Sequence, residues 1–215
     1  MARALHTDSG RKFVPTETWM TDFTAIRAVT DSLKEILRQG ITLSADAQLN
    51  GVGIDLRSPK EMRVDNATGI SLWLYRVTRD SDLQNQPPER ISPTLVRRNS
   101  IPIHLFYLVT PLVTKPEDRQ TLLGRVIQLF NDHTQLRGAD LQDSLAGSPE
   151  QYRIVLETLT LEELTRVWYS LSEPYDLSVS YEVQVVRIDT DDEAVQAPPV
   201  LVRSAGYRQI VGGGS

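Results

Sequence analysis

IPIHLFYLVTPLV, residues 101–113, is apolar almost throughout. A run of this kind suits a central strand covered on both faces. Two further segments read as its sheet partners. Residues 70–78 (ISLWLYRVT) put Ile70, Leu72 and Leu74 on one face and Ser71, Trp73 and Tyr75 on the other. Residues 177–188 (LSVSYEVQVVRI) alternate over most of their length, with Leu177, Val179, Tyr181, Val183 and Val185 turned inward.

Helical periodicity fills the space around these strands. Phe23, Ile26, Val29, Leu33, Ile36 and Leu37 recur at helical spacing, with Thr21 or Asp22 as cap and Gly40 as stop. A second helix opens at Pro116, with Thr114 and Glu117 spaced as a capping box. Its apolar face is Leu122, Leu123, Val126, Ile127, Leu129 and Phe130. A third starts at the Thr160/Glu163 box and buries Leu161, Leu164, Val167, Trp168 and Leu171. Weaker signals complete the order. Val52, Ile54 and Leu56 suggest an extended stretch ending in a Ser58-Pro59 turn, and residues 152–158 read as a strand. The polar, proline-bearing residues 80–99 read as a long loop, and 138–149 as a loop region with a short edge strand. The expected fold class is α+β: a mixed, mostly antiparallel sheet with three α-helices packed on it.

Composition narrows the function. The 215 residues contain no cysteine, which excludes disulfide frameworks, thiol catalysis and cysteine-ligated metals. Net charge is −5, without the basic balance of a nucleic-acid binder, so no nucleic acid partner is expected. No apolar run approaches the roughly 18 residues needed to span a bilayer, and no h-region opens the chain. The expectation is a soluble chain with no cleavable export signal and no direct membrane insertion. Arginine outnumbers lysine 19 to 4, a bias that fits interfaces because the planar guanidinium tolerates desolvation.

His6, His104 and His133 are scattered, none with a second histidine nearby. Gly51-Val52-Gly53 is half a nucleotide fingerprint and lacks its third glycine. Asp191-Asp192-Glu193 lacks the glycine turn and ligand spacing of a calcium loop. No catalytic, cofactor-binding or metal-binding constellation emerges, and no cofactor is expected.

Five stretches taken together carry a resemblance. They are Ile26 to Leu37, Ser71 to Val77, Arg98 to Pro111, Glu117 to His133, and Leu164 to Asp189 with Val167-Trp168 and Ser178-Val179-Ser180-Tyr181 inside it. In order and spacing they resemble the N-terminal domain family of tail-terminator (cap) proteins from extracellular contractile injection systems, of the antifeeding-prophage and Photorhabdus virulence cassette type. The resemblance implies a phage tail-terminator-like fold and a non-enzymatic subunit. Such a subunit forms a homohexameric ring that ends the inner tube and joins it to the sheath. Its partners would be tube and sheath subunits of a particle assembled in the bacterial cytoplasm, then released or anchored. The alternatives are a baseplate or adaptor subunit of the same particle and a small enzyme with a carboxylate-based site. Residues 1–20 then read as an N-terminal arm, 21–190 as the α+β domain and 191–215 as a C-terminal extension, with Gly212–Ser215 set aside as a linker. Expected partner contacts are Phe13 and Trp19 in the arm, Arg90, Arg97 and Arg98 in the long loop, and Tyr207 in the extension.

Overall fold

The computed structural model describes residues 22–83, 87–92, 94–190 and 195–196, and the backbone alone of Glu89, Ile91 and Val185. Its spine is β5 (Ile101–Leu112), the apolar run that opens the sequence reading. Antiparallel to it lie β2 (Gly69–Arg79) on one side and β8 (Val179–Ile188) on the other. β1 (Ile54–Asp55) runs parallel to β2, while β7 (Gln151–Leu156) and β6 (Gln135–Arg137) continue antiparallel beyond β8. The six-stranded order is β1-β2-β5-β8-β7-β6. This is the mixed, mostly antiparallel sheet that the alternation predicts.

Register assigns the faces. Ile103, Leu105, Tyr107 and Val109 of β5 sit opposite Val186, Val183, Tyr181 and Val179 of β8, and all point to one side. That side is covered by α1 (Ala25–Leu37) and α3 (Pro116–Asp132), whose Val29, Leu33, Leu122, Val126 and Phe130 complete one large core. Tyr107 hydroxyl lies 2.7 Å from Thr30 Oγ1, so the buried phenol is satisfied. Burial pushes the Tyr181 hydroxyl up to about 12, and its ring meets Phe130 edge to face at 4.8 Å.

The opposite face is more thinly clad. Leu108 packs under Trp168 and Leu171 from α4 (Leu161–Ser170), with Trp73, Tyr75, Leu164 and Val167 around them. Trp168 donates its indole N–H to Ser178 Oγ at 3.1 Å. Arg63 of α2 (Pro59–Val64) stacks over the same indole at 5.3 Å. It also bonds Glu173 and Asp176, each at 2.7 Å, and Arg119 of α3 reaches Asp176 at 3.1 Å. A partly buried ion network thus ties α2 and α3 to the loop that follows α4, where apolar contact is sparse.

Several expectations need correction. The Ser58-Pro59 turn is the start of a fourth helix, α2, and Ser58 and Glu61 form its capping box. Residues 80–99 are not one loop, since β3 (Glu89–Ser92) and β4 (Leu95–Arg97) form a hairpin inside them. β9 (Val195–Gln196) joins β4 to make a second, three-stranded sheet. Gly40 does not stop the first helix. A wider π turn carries it to Thr42, and the glycine lets Leu129 pack close, since a Cβ there would meet Leu129 Cδ2 at 2.4 Å and displace that side chain. The Thr114/Glu117 box is absent: Lys115 is the N-cap and makes no side-chain cap bond. The expected short edge strand lies at Gln135–Arg137, just ahead of the loop region. In β8 a bulge opposite His104 resets the alternation, so Val186 is buried, whereas Leu177 lies outside the strand and is exposed.

Candidate assembly surfaces

The expected contact residues fall into two groups. Phe13, Trp19 and Tyr207 lie outside the described residues. Arg90, Arg97 and Arg98 are brought together by the second sheet. Arg90 is exposed on β3 opposite Val96, Arg97 is half-buried opposite Glu89, and exposed Arg98 follows at the end of β4. Because β9 pairs with Leu95 and Val96, this sheet also captures the chain after Asp189. Two regions that the sequence marks separately, the 80–99 segment and the C-terminal stretch, therefore form one projection.

A charged clip sits at the root of that projection. His104 on β5 places Nδ1 2.5 Å from Glu182 on β8 and Nε2 3.0 Å from Asp80, just past the end of β2. Burial alone would lower its pKa, but the hydrogen bonds to Glu182 and Asp80 outweigh that and raise it above the ordinary 6.5. The same contact holds the Asp80 carboxyl below its usual range, helped by the Leu83 and Asp82 amides. Nearby, Glu157 accepts from Tyr75 at 3.0 Å, from Arg76 at 3.0 Å and from Ser180. Three donors converge on this carboxylate, which makes it an anchor between β2, β8 and the segment after β7. Arg76 also lies 3.7 Å from the centre of the Phe106 ring.

Apolar surface is exposed in three places. Phe23 is 80% exposed ahead of α1. Leu161 and Tyr169 are 66% and 83% exposed, so Leu161 does not belong to the buried stripe expected of the third helix. A groove of about 470 Å³ runs between α3 and β7, where Ile127, Phe130, Leu156 and Tyr181 line it beside Arg153. Sequence reasoning misses these because burial of a helix face is inferred from period alone, and the period does not say which end overhangs the sheet. Among the described residues no group of three or more metal-ligating side chains is gathered, and no helix is long and apolar enough to cross a membrane.

Residues 28–201 match the family model of the Pvc16 N-terminal domain, a span that takes in all nine described strands. The chain belongs to this family. Two solved structures share the family fold. One is the sheath/tube terminator of PVC, an extracellular contractile injection system, in the extended state. It is 19% identical with a TM-score of 0.59, over 88% of this chain and 65% of that one. The other is the tube-terminating cap of the anti-feeding prophage, 19% identical with a TM-score of 0.54, over 83% of this chain and 60% of that one. The chain thus spans 65% and 60% of the lengths of these two proteins. Among curated proteins, none matches it.

Proposed function

We propose that this chain is a structural cap subunit. It forms a ring, six copies by the family resemblance, that ends the inner tube of a contractile injection particle and joins it to the sheath. The observation that carries this reading is the Pvc16 N-terminal domain match across residues 28–201, together with the fold shared with a sheath/tube terminator and a tube-terminating cap. The physical reading is compatible. A ring subunit requires a rigid domain with two unlike contact surfaces that close on rotation. The doubly covered sheet supplies rigidity, and the arginine-bearing projection, the Leu161/Tyr169 stripe and the α3–β7 groove supply unlike surfaces. The role needs no reacting centre, so the reading is non-enzymatic. Contacts through residues 1–20 and 191–215 are part of the same proposal. Assembly takes place in the bacterial cytoplasm, and the finished particle is the form that acts outside the cell.

Two measurements test it. The native mass of the purified chain should be about six times 24.2 kDa. Particles built without it should show tubes of uncontrolled length or detached sheaths under the electron microscope. Particles of normal length with intact ends would sink the reading.

A further inference from the structure

The chain passes between the two sheets three times: after β2, ahead of β5 and after β8. No ladder joins the sheets among the described residues, so side chains at these crossings bear on how firmly the second sheet is held. One side chain touches the strand behind each crossing. His104 of β5 meets Asp80, the residue that follows β2, through Nε2 at 3.0 Å, and Glu182 of β8 through Nδ1 at 2.5 Å. Both carboxylates are also bonded locally. Asp80 accepts from the Asp82 amide at 2.8 Å and the Leu83 amide at 3.0 Å, which shapes the first turn of the 80–99 segment. Its own amide donates to Pro102 O at 3.0 Å. Glu182 accepts from the Gln184 side-chain amide at 2.9 Å, beside the bulge that stands opposite His104.

We propose that His104 is a proton-operated latch: protonated, it fixes the start of the 80–99 segment to the main sheet, and on losing a proton it releases Asp80 and lets the second sheet shift about its crossings. The mechanism is a count of donors. An imidazolium donates from both nitrogens, one to each carboxylate, whereas a neutral imidazole has a single N–H and turns a lone pair toward the other. The Glu182 contact is the shorter and lies between paired strands, so Nδ1 keeps the proton. Asp80 is the partner let go, because two backbone amides still satisfy it. Burial works against the charge, yet the two carboxylates hold the proton on above the ordinary 6.5. The other charged residues nearby by register are Arg76 and Arg79 of β2, Arg187 of β8 and Arg153 of β7, which stand opposite Phe106, Ile103, Pro102 and Gln184. Arg76 is engaged by Glu157 at 3.0 Å, and Glu163 at the start of α4 lies near enough to Arg76 to feel its charge. Arg90, Arg97 and Arg98 ride on the second sheet, so the orientation of that basic surface follows the proton. The latch works within one subunit and stands whether or not rings form.

The purified full chain tests it. NMR titration of the His104 imidazole should give a midpoint above 6.5, and a midpoint below that overturns the latch. Amide exchange, corrected for the intrinsic effect of pH, is followed across the same range. As the ring loses its proton, protection of the Asp80 amide should fall by about tenfold or more, while Leu105 to Val109 keep theirs. Level protection at Asp80 overturns the proposal, and so does an equal loss in β5, which would mean general loosening. Position is read separately. The chain holds no cysteine, so Gln120→Cys on α3 and Val195→Cys on β9, both exposed, can carry spin labels alone. The distance between them should be narrowly distributed below the midpoint and about twice as broad above it. A distribution unchanged by pH overturns the release. His104→Gln offers one donor at every pH, so its distribution should stay broad throughout, and a pH step retained in that variant overturns the assignment to His104. If that variant does not fold, the titrations of the parent chain decide.

Discussion

His104 shows how much one side chain can do at a junction. Both ring nitrogens face carboxylates, so the arrangement is best satisfied by the doubly protonated imidazolium. Its native pKa lies above that of the unfolded chain, so the clip stabilises fully below about pH 6.5. That contribution fades as pH rises through the elevated native value. His104→Gln is therefore expected to cost about 2 kcal/mol or more at pH 6 by urea unfolding, through loss of the charge-assisted contacts to Asp80 and Glu182. The gap between variant and parent should narrow above the native pKa, and a gap independent of pH would count against the protonated clip. Thr110 poses the opposite case. Its Oγ1 is buried with no hydrogen-bond partner among the described residues. Thr110→Val keeps shape and removes the unpaired hydroxyl, so stability should hold or rise by up to about 1 kcal/mol. A clear loss would mean that a water serves this hydroxyl. In the sequence both residues read only as members of an apolar strand, because their significance comes from neighbours far along the chain.

At the scale of elements, local chemistry was legible wherever it is self-contained. Thr160 accepts from the Glu163 amide at 3.3 Å, and Glu163 answers to the Thr160 amide at 2.8 Å, as the spacing predicts. Thr160→Ala should cost about 1 kcal/mol, seen as a lowered melting temperature, while Thr160→Ser should cost almost nothing. The same Ser-x-x-Glu signal stands at Ser58 and Glu61, and a helix start was available there to be read. The proline at position 59 reads equally as a turn, and six residues carry too little periodicity to decide. β3, β4 and β9 were not legible for a different reason. They are two to four residues long and are held by partners up to about a hundred positions away, so no local pattern marks them. The arginines on that hairpin are marked in the sequence as expected contacts. What joined them to the C-terminal stretch was tertiary pairing.

For the whole molecule, the two faces of the sheet are unequal. α1 and α3 bury a broad apolar field, whereas α4 rests on three buried residues, Leu108, Trp168 and Leu171. Hydrogen exchange should follow that division. Amides of α4 should open at a markedly lower free energy than those of α1 or β5, and equal protection of the two layers would contradict the packing. Trp168→Ala should cost about 3 to 5 kcal/mol, since it empties most of the small cluster and strips Arg63 of its ring.

A subunit built this way is stiff in one direction and compliant in another. Load applied along β5 meets a strand paired with β2 over Ile103–Leu112 and with β8 over Ile101–Val109, two ladders that must shear together before the strand can slip. Load that lifts α4 meets one indole and a web of ion pairs, which part and re-form in sequence. Sudden mechanical stress would be absorbed in the thin layer as a reversible hinge, sparing the strand order of the main sheet.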